Sequence, residues 1–162
     1  MKASSLLTTS FIFLLLMTVS VAGFSQDKKN DKALQVKESV ENQHYIFVAQ
    51  TALPLQGRVR QLTTDYTLKV SKDTVIADLP YFGRAYSAPI GTSGGGIQFT
   101  STKFEYTSTE RKKGGWSISI KPKESQDVRE LSLSISENGY ASLQVISNNR
   151  QAISFNGYLK LK

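Results

Sequence analysis

Residues 131–135 (Leu-Ser-Leu-Ser-Ile) and residues 141–145 (Ala-Ser-Leu-Gln-Val) alternate apolar and polar side chains along their whole length. Successive side chains of an extended chain point to opposite faces, so each run has one apolar and one polar face. The two runs therefore predict a β-hairpin in a sheet that buries one face and leaves the other in water.

The loop between these runs determines their register. A two-residue turn at Asn138-Gly139 would place Ile135 opposite Ser142 and mix the two faces, which a sheet with one buried face does not tolerate. A three-residue loop over 137–139 instead pairs Ile135 with Ala141, with Gly139 in the left-handed position of a bulged turn. We therefore predict the three-residue loop.

Three further hairpins follow from the same alternation. Each joins two apolar-polar runs across a short polar segment. The predicted pairs are Val70 with Val75 and Leu68 with Ala77 around Lys72-Asp73, Tyr106 with Trp116 and Phe104 with Ile118 around residues 111–115, and Leu143 with Phe155 and Val145 with Ile153 around residues 148–150.

The fold class follows from the number of such runs. About eight to nine short strands are joined by hairpin turns, and no strand–helix–strand unit is visible. Ala33, Val36 and Val40 recur at helical spacing and predict one short helix over about residues 32–42. The chain is therefore predicted to be mainly all-β, an antiparallel β-barrel or β-sandwich with one short N-terminal helix, and the pattern does not separate barrel from sandwich.

Composition limits the classes of site. The chain has 162 residues, a hydrophobic fraction of 40% and no cysteine, which suits a single domain and excludes disulfides and thiolate metal ligands. Its formal net charge of +7 favours anionic partners or surfaces. No cofactor and no metal is predicted, and no nucleic-acid-binding module is recognisable.

The N-terminus has the layout of a secretory signal peptide. Lys2 precedes an apolar run over residues 11–21, and small residues follow. We predict a signal peptide over residues 1–25, with cleavage after Ala22 or Ser25, and a periplasmic or secreted protein. An uncleaved membrane anchor is the alternative, but the run is short for a membrane span. No later segment is long enough to cross a membrane as a helix.

Residues after the leader divide into two parts. Residues 26–32 are polar and charged, and we predict a flexible N-terminal segment there. Residues 33–162 are predicted to form the single β-rich domain.

One stretch departs from ordinary strand composition, residues 79–86 (Leu-Pro-Tyr-Phe-Gly-Arg-Ala-Tyr) with the glycine-rich residues 91–96 behind it. If extended, the stretch places Arg84 between two aromatic rings on one face, and a guanidinium stacks on rings while it binds an anion. The alternative is that Arg84 pairs internally with Asp78 or Glu105 while the rings are core. The candidate ligand-binding residues are Tyr81, Phe82, Gly83, Arg84 and Tyr86, with Gly94, Gly95 and Gly96 as a flap.

The same stretch carries a family resemblance. Residues 78–86, followed by residues 95–99 (Gly-Gly-Ile-Gln-Phe), resemble a family of secreted proteins from Bacteroidota catalogued as domain of unknown function 4251. The resemblance runs from about Gln35 to the C-terminus. It implies an exported, β-rich protein, and the family brings no established activity or catalytic residues.

Catalytic chemistry has little support in the sequence. His44 is the only histidine, and no nucleophile or orienting acid can be assigned to it. The glycines of residues 91–96 lead into an apolar strand without the lysine that a phosphate-binding loop requires. Asp78 and Glu105 could form a two-carboxylate hydrolase site, but their spacing in the chain sets no distance between them.

The most economical reading is a non-catalytic periplasmic or secreted binding protein for a small anionic or ring-bearing ligand. The alternative is a structural or interaction module of the cell envelope, which would use a sheet edge or the basic loops. A hydrolase with a carboxylate site is the second alternative. The partner is thus an unknown small molecule or an envelope component, and no oligomeric state is predicted.

Overall fold

The computed structural model describes residues 23–86 and 95–161, with the backbone alone for residues 23–30. This part of the chain forms one helix and nine strands. They are α1 (Gly23–Glu41), β1 (Tyr45–Pro54), β2 (Arg60–Val70), β3 (Val75–Leu79), β4 (Ile97–Ser101), β5 (Phe104–Glu110), β6 (Trp116–Pro122), β7 (Val128–Ile135), β8 (Tyr140–Ser147) and β9 (Ile153–Lys160).

All nine strands belong to one antiparallel sheet in the order β4-β3-β2-β1-β9-β8-β7-β6-β5. The first and last strands in sequence, β1 and β9, are paired in its middle. The two outermost strands, β4 and β5, follow each other directly in the chain, so the sheet curls into a nearly closed barrel. The structure confirms the mainly antiparallel β fold and decides for a barrel-like sheet, which leaves few exposed strand edges.

The barrel interior is a single hydrophobic core built from alternate residues of every strand. A buried Leu, Ile or Phe side chain of this kind stabilises the fold by roughly 1.5–3 kcal/mol. The largest fully buried side chains are Phe47, Phe155, Leu68, Leu79, Ile97, Ile118, Ile120, Leu131, Leu133, Ile135, Leu143 and Ile153.

Three of the predicted hairpin registers are confirmed. Val70 pairs with Val75 in the β2–β3 hairpin. Ile135 pairs with Ala141 around the three-residue loop, where Gly139 has a φ of 81° in the left-handed region. The β8–β9 register also agrees, because its short turn leaves one pairing that keeps apolar side chains on the same face.

The predicted β5–β6 register is wrong. Tyr106 lies opposite Ile120 rather than Trp116, which pairs with Glu110 instead. The threonines and serine of residues 107–109 favour strand structure, so β5 continues to the turn. Two positive-φ glycines close that turn over residues 111–115. The shift is an even number of residues, so the predicted inward faces are nevertheless retained.

Helix α1 is longer than the predicted helix. It begins at Gly23 and takes in residues 26–32, for which composition favoured a flexible segment. Residues 24–32 contain neither proline nor glycine, so nothing in them interrupts the helix. Val36 and Val40 are buried as expected, and the Tyr106 hydroxyl lies 3.5 Å from the Val40 carbonyl oxygen.

The C-terminal part of α1 covers one opening of the barrel. A methyl group at position 139, in the β7–β8 turn, would lie 3.5 Å from Val36 Cγ2, so α1 packs closely against this turn.

Within the described residues, no helix combines the length and apolar character that a membrane span needs.

The Glu124 side chain binds the turn that joins the two outermost strands, β4 and β5. Its Oε2 accepts hydrogen bonds from the backbone N–H groups of Thr102 (2.7 Å) and Lys103 (3.3 Å), between β4 and β5. The bond from the Thr102 backbone is the main reason that the pKa of Glu124 lies below its ordinary value of 4.5. The ionised carboxylate therefore stabilises the folded state.

We expect Glu124→Gln to lower stability at neutral pH. Because the folded pKa is depressed, this stabilisation is present above the ordinary pKa and is lost as pH falls through the folded pKa. Urea denaturation should show the difference in stability between wild type and variant becoming smaller as pH falls below the ordinary carboxyl pKa of 4.5. Glu110→Gln, at the exposed end of β5, is the control; a Glu124→Gln gap that stays constant with pH would contradict the assignment.

Candidate functional site

The aromatic–arginine stretch is irregular rather than a strand. β3 ends at Leu79, immediately before Pro80. Proline has no backbone N–H group to donate to a neighbouring strand, so the strand is expected to end there. The segment 81–86 makes one isolated bridge, Ala85 to Arg150, in place of a ladder. The segment is therefore not the regular strand that would put Phe82, Arg84 and Tyr86 on one face.

Tyr81 holds this segment against the β8–β9 loop. Its hydroxyl lies 2.8 Å from the Arg84 carbonyl oxygen and 3.1 Å from that of Gln151. The Tyr86 N–H donates to the Asn149 carbonyl oxygen at 2.8 Å. Burial raises the pKa of the Tyr81 phenol above 10.0, which keeps it a donor. The Tyr81 hydroxyl thus helps to hold the segment in place, and the prediction that Tyr81 binds a ligand stays a prediction.

The buried arginine is Arg150, which the sequence analysis did not single out. Its side chain is 2% exposed, and its Nε lies 3.0 Å from Asp127 Oδ2. Nη1 donates to the carbonyl oxygens of Gly95 (2.9 Å) and Gly96 (3.1 Å), and the guanidinium carbon lies 5.1 Å from the centre of the Tyr81 ring. Arg150 therefore joins four segments that are distant in the chain.

The ion pair of Arg150 is imperfect. The Nε–H is not aligned with Asp127 Oδ2, so the contact is a charge–charge attraction rather than a directed hydrogen bond. Asp127 Oδ1 is buried and accepts no hydrogen bond from a described residue. Among the described residues, Asp127 supplies the only carboxylate within 4.0 Å of Arg150. Its charge therefore stabilises the buried guanidinium even without a directed hydrogen bond.

Arg84 and Tyr86 are exposed on the surface. The internal partners considered for Arg84 are engaged elsewhere, since Asp78 accepts from Gln98 Nε2 at 2.9 Å and Glu105 pairs with Lys123 at 2.6 Å. The prediction that Arg84 binds a ligand stays a prediction.

The other predicted site residues do not form one site, because they contact different parts of the protein. Phe82 lies under a different arginine, Arg60, whose guanidinium carbon is 4.7 Å from the ring centre. Gly83 packs against the Tyr81 ring, and a Cβ there would collide with it. Gly95 and Gly96 bind Arg150 through their carbonyl groups, and Gly94 lies outside the described residues.

Catalytic candidates gain no support from the geometry. His44 is exposed at the junction of α1 and β1. Asp78 and Glu105 belong to β3 and β5 and are bound by Gln98 and Lys123, respectively. Within the part of the chain that the structure describes, no group of three or more His, Cys, Asp or Glu side chains could hold a metal ion.

A cavity that sequence reasoning missed lies beside the C-terminal turn of α1. This α1 cavity has a volume of about 310 Å³, and its wall includes Ile46, Lys69, Ile76, Lys160, His44 and Glu38. Lys69 and Lys160 are both paired with Ile46, one from β2 and one from β9. Both lysines therefore point to the same outer face of the barrel.

The α1 cavity combines positive charge with an apolar surface. In the described part of the chain, neither Lys69 nor Lys160 lies within 4.0 Å of a carboxylate oxygen. Ile76, which pairs with Lys69, is 39% exposed, although isoleucine is usually buried. Two ammonium groups beside exposed Ile76 and half-buried Ile46 suit an anion with an apolar body.

Removing the counter-charge of Arg150 should destabilise the barrel strongly. We expect Asp127→Ala to lower the free energy of unfolding by about 3–5 kcal/mol, because it leaves a buried guanidinium without a carboxylate. The double variant Asp127→Ala/Arg150→Met should lose less, because the buried charge is removed as well. Urea denaturation measures both. A single variant as stable as wild type would show that the pair does not hold these segments together.

The chain resembles known proteins in both sequence and fold. A family model described as "Domain of unknown function (DUF4251)" matches residues 27–159. The crystal structure of a DUF4251 family protein from Bacteroides eggerthii DSM 20697 superposes with a TM-score of 0.59 at 12% identity, over 80% of this chain and 87% of that chain. A search of curated proteins gave no match. The resemblance seen in residues 78–99 is thus confirmed, and the chain belongs to the DUF4251 family.

Proposed function

We propose that this protein is an exported, non-catalytic binding protein that takes a small anionic ligand with an apolar or aromatic body. The proposed site is the α1 cavity. The observation that carries the proposal is the pair Lys69 and Lys160, which flank Ile46 on the wall of a concave site.

The size of the α1 cavity supports a small ligand. Ligand sites in proteins range over roughly 300–1,000 Å³, and about 310 Å³ lies at the lower end of that range. Such a site suits a molecule of one or two rings. A polymer would contact it only through one end group.

The charges of the cavity favour an anion. β2 and β9 lie on either side of β1, so the backbones at Lys69 and Lys160 are roughly 9–10 Å apart. Two lysine side chains can span that distance and converge on one carboxylate, sulfonate or phosphate. Glu38 is the opposing charge on the wall, and two ammonium groups outweigh its single carboxylate.

The apolar part of the wall favours a ligand that is more than an inorganic ion. Ile46 lies between the two lysines and Ile76 extends the same surface. Covering exposed isoleucine removes apolar area from water, which stabilises the complex. The ligand would present its charge to the lysines and its body to these side chains.

Titration with 2-naphthoate, a ring-bearing carboxylate, tests the site. We expect saturable amide shifts in heteronuclear NMR spectra at residues 44–46, 69–76 and 160. Lys69→Ala/Lys160→Ala should weaken binding by roughly tenfold or more, because each charge-assisted hydrogen bond contributes about 1.5–3 kcal/mol.

Lys112→Ala/Lys113→Ala, on the exposed turn of residues 111–115, removes the same charge elsewhere and should bind normally. Equal weakening in both double variants would show unspecific attraction and sink the proposal. Loss of binding in Arg84→Ala alone would move the site to the segment 81–86. Absence of saturable shifts up to about 1 mM would leave affinity below the useful range and reject the α1 cavity.

Export is supported by the charged, apolar and small-residue pattern of residues 1–25. Expression of the full chain in a bacterial host should yield a processed protein in the periplasm or medium. Its intact mass should correspond to a chain that begins at Gly23 or Gln26. A full-length protein in the cytoplasm would contradict export and leave the α1 cavity proposal intact.

A further inference from the structure

A row of polar side chains crosses the outer wall of the barrel. Residues that lie directly opposite one another on neighbouring strands point to the same face. The successive cross-strand partners, from β6 to β2, are Ser117, Ser134, Ser142, Asn156, Thr51 and Gln61. This polar row covers five strand spacings, or roughly 24 Å.

The wall is concave along the middle of the polar row. A groove of about 330 Å³ opens there, between Gln50 and Thr51 of β1 and Ser142 of β8, with Asn156 between them. The irregular pairing of β1 between Ala49 and Thr51 adds one residue, and it brings Gln50 to the same wall as Thr51. The groove therefore presents two amide groups and several hydroxyl groups to one space.

Two tyrosines lie beside the groove. Tyr140 is 64% exposed and pairs directly with Tyr158, which is 36% exposed. Tyr140 also forms part of the groove wall. Serines and threonines would suit any solvated sheet face, but the ring of Tyr140 is mostly exposed and leaves apolar area in water at this concave polar surface.

The groove differs in charge from the α1 cavity. Arg111 is the only charged side chain on its wall as the described residues form it. Its Nη1 donates to Ser134 Oγ at 2.7 Å and its Nη2 to the Ile135 carbonyl oxygen at 3.0 Å. With the arginine held by the protein, the remaining groups are neutral donors and acceptors.

From these contacts we infer that the outer-wall groove is a binding site for a neutral carbohydrate chain. Amide and hydroxyl groups match sugar hydroxyls, and the Tyr140 ring offers a flat apolar surface to the C–H face of a sugar ring. The length of the polar row accommodates several sugar units. The groove and the α1 cavity share no wall residue, so the inference is independent of the proposed function.

The test uses a panel of neutral hexasaccharides (maltohexaose, cellohexaose, xylohexaose and chitohexaose) and a heparin hexasaccharide as the charged comparison. We expect at least one neutral member to give saturable NMR shifts at the polar row. Its affinity should change less than twofold when NaCl is raised to about 0.5 M, because neutral contacts are not screened.

Asn156→Ala and Tyr140→Ala should each weaken that binding at least fivefold. Gln144→Ala is the matched control, since Gln144 is an exposed amide on the same wall that lies outside the groove, and it should bind as wild type. Thermal unfolding should show all three variants fully folded at the assay temperature, which separates lost binding from lost folding.

Three results would overturn the inference. The first is absence of saturable shifts with every neutral hexasaccharide. The second is binding of the heparin hexasaccharide alone with loss in high salt, which would show a surface governed by charge. The third is equal weakening by Gln144→Ala and Asn156→Ala.

Discussion

The attraction between buried Arg150 and Asp127 organises the end of the barrel that α1 does not cover. β8 runs from the turn under α1 to the loop that carries Arg150, so one opening is covered by apolar helix packing and the other by a charged cluster. The irregular segments 81–86 and 95–96 have few ladder bonds of their own. Their positions depend on the hydrogen bonds and ring contact that Arg150 and Tyr81 supply. A buried guanidinium needs hydrogen-bond acceptors, so the cluster favours an arrangement of these loops that supplies them.

Alternation along the sequence was enough to predict the fold class, because strand period alone decides which side chains face the core. Strand registers could also be predicted correctly wherever the turn was short, as at Gly139. The prediction failed between β5 and β6, because the strand propensity of residues 107–109 does not by itself show where β5 ends and the turn begins. Barrel and sandwich could not be separated, because the pairing of β1 with β9 joins residues from opposite ends of the chain.

The candidate sites were harder to predict for the same reason. Arg84 stood out because aromatic residues surround it in sequence, yet the arginine that contacts a ring and a carboxylate internally is Arg150. Lys69 and Lys160 do not stand out in the sequences of their own strands. They lie on the same wall only because β2 and β9 both pair with β1. Local patterns report which face a residue occupies. They do not report which distant strand becomes its neighbour, and both cavities depend on such neighbours.

The central position of the β1–β9 pair has a consequence for how the chain reaches its native state. Until β9 is available, β1 and β8 each have one side without a partner, in the middle of the sheet rather than at its margin. The most distant contacts in sequence are therefore required for the sheet to be continuous, which makes folding slow relative to chains with local pairing. A chain that lacks β9 would expose the unpaired edges of β1 and β8, which could pair with strands of other chains.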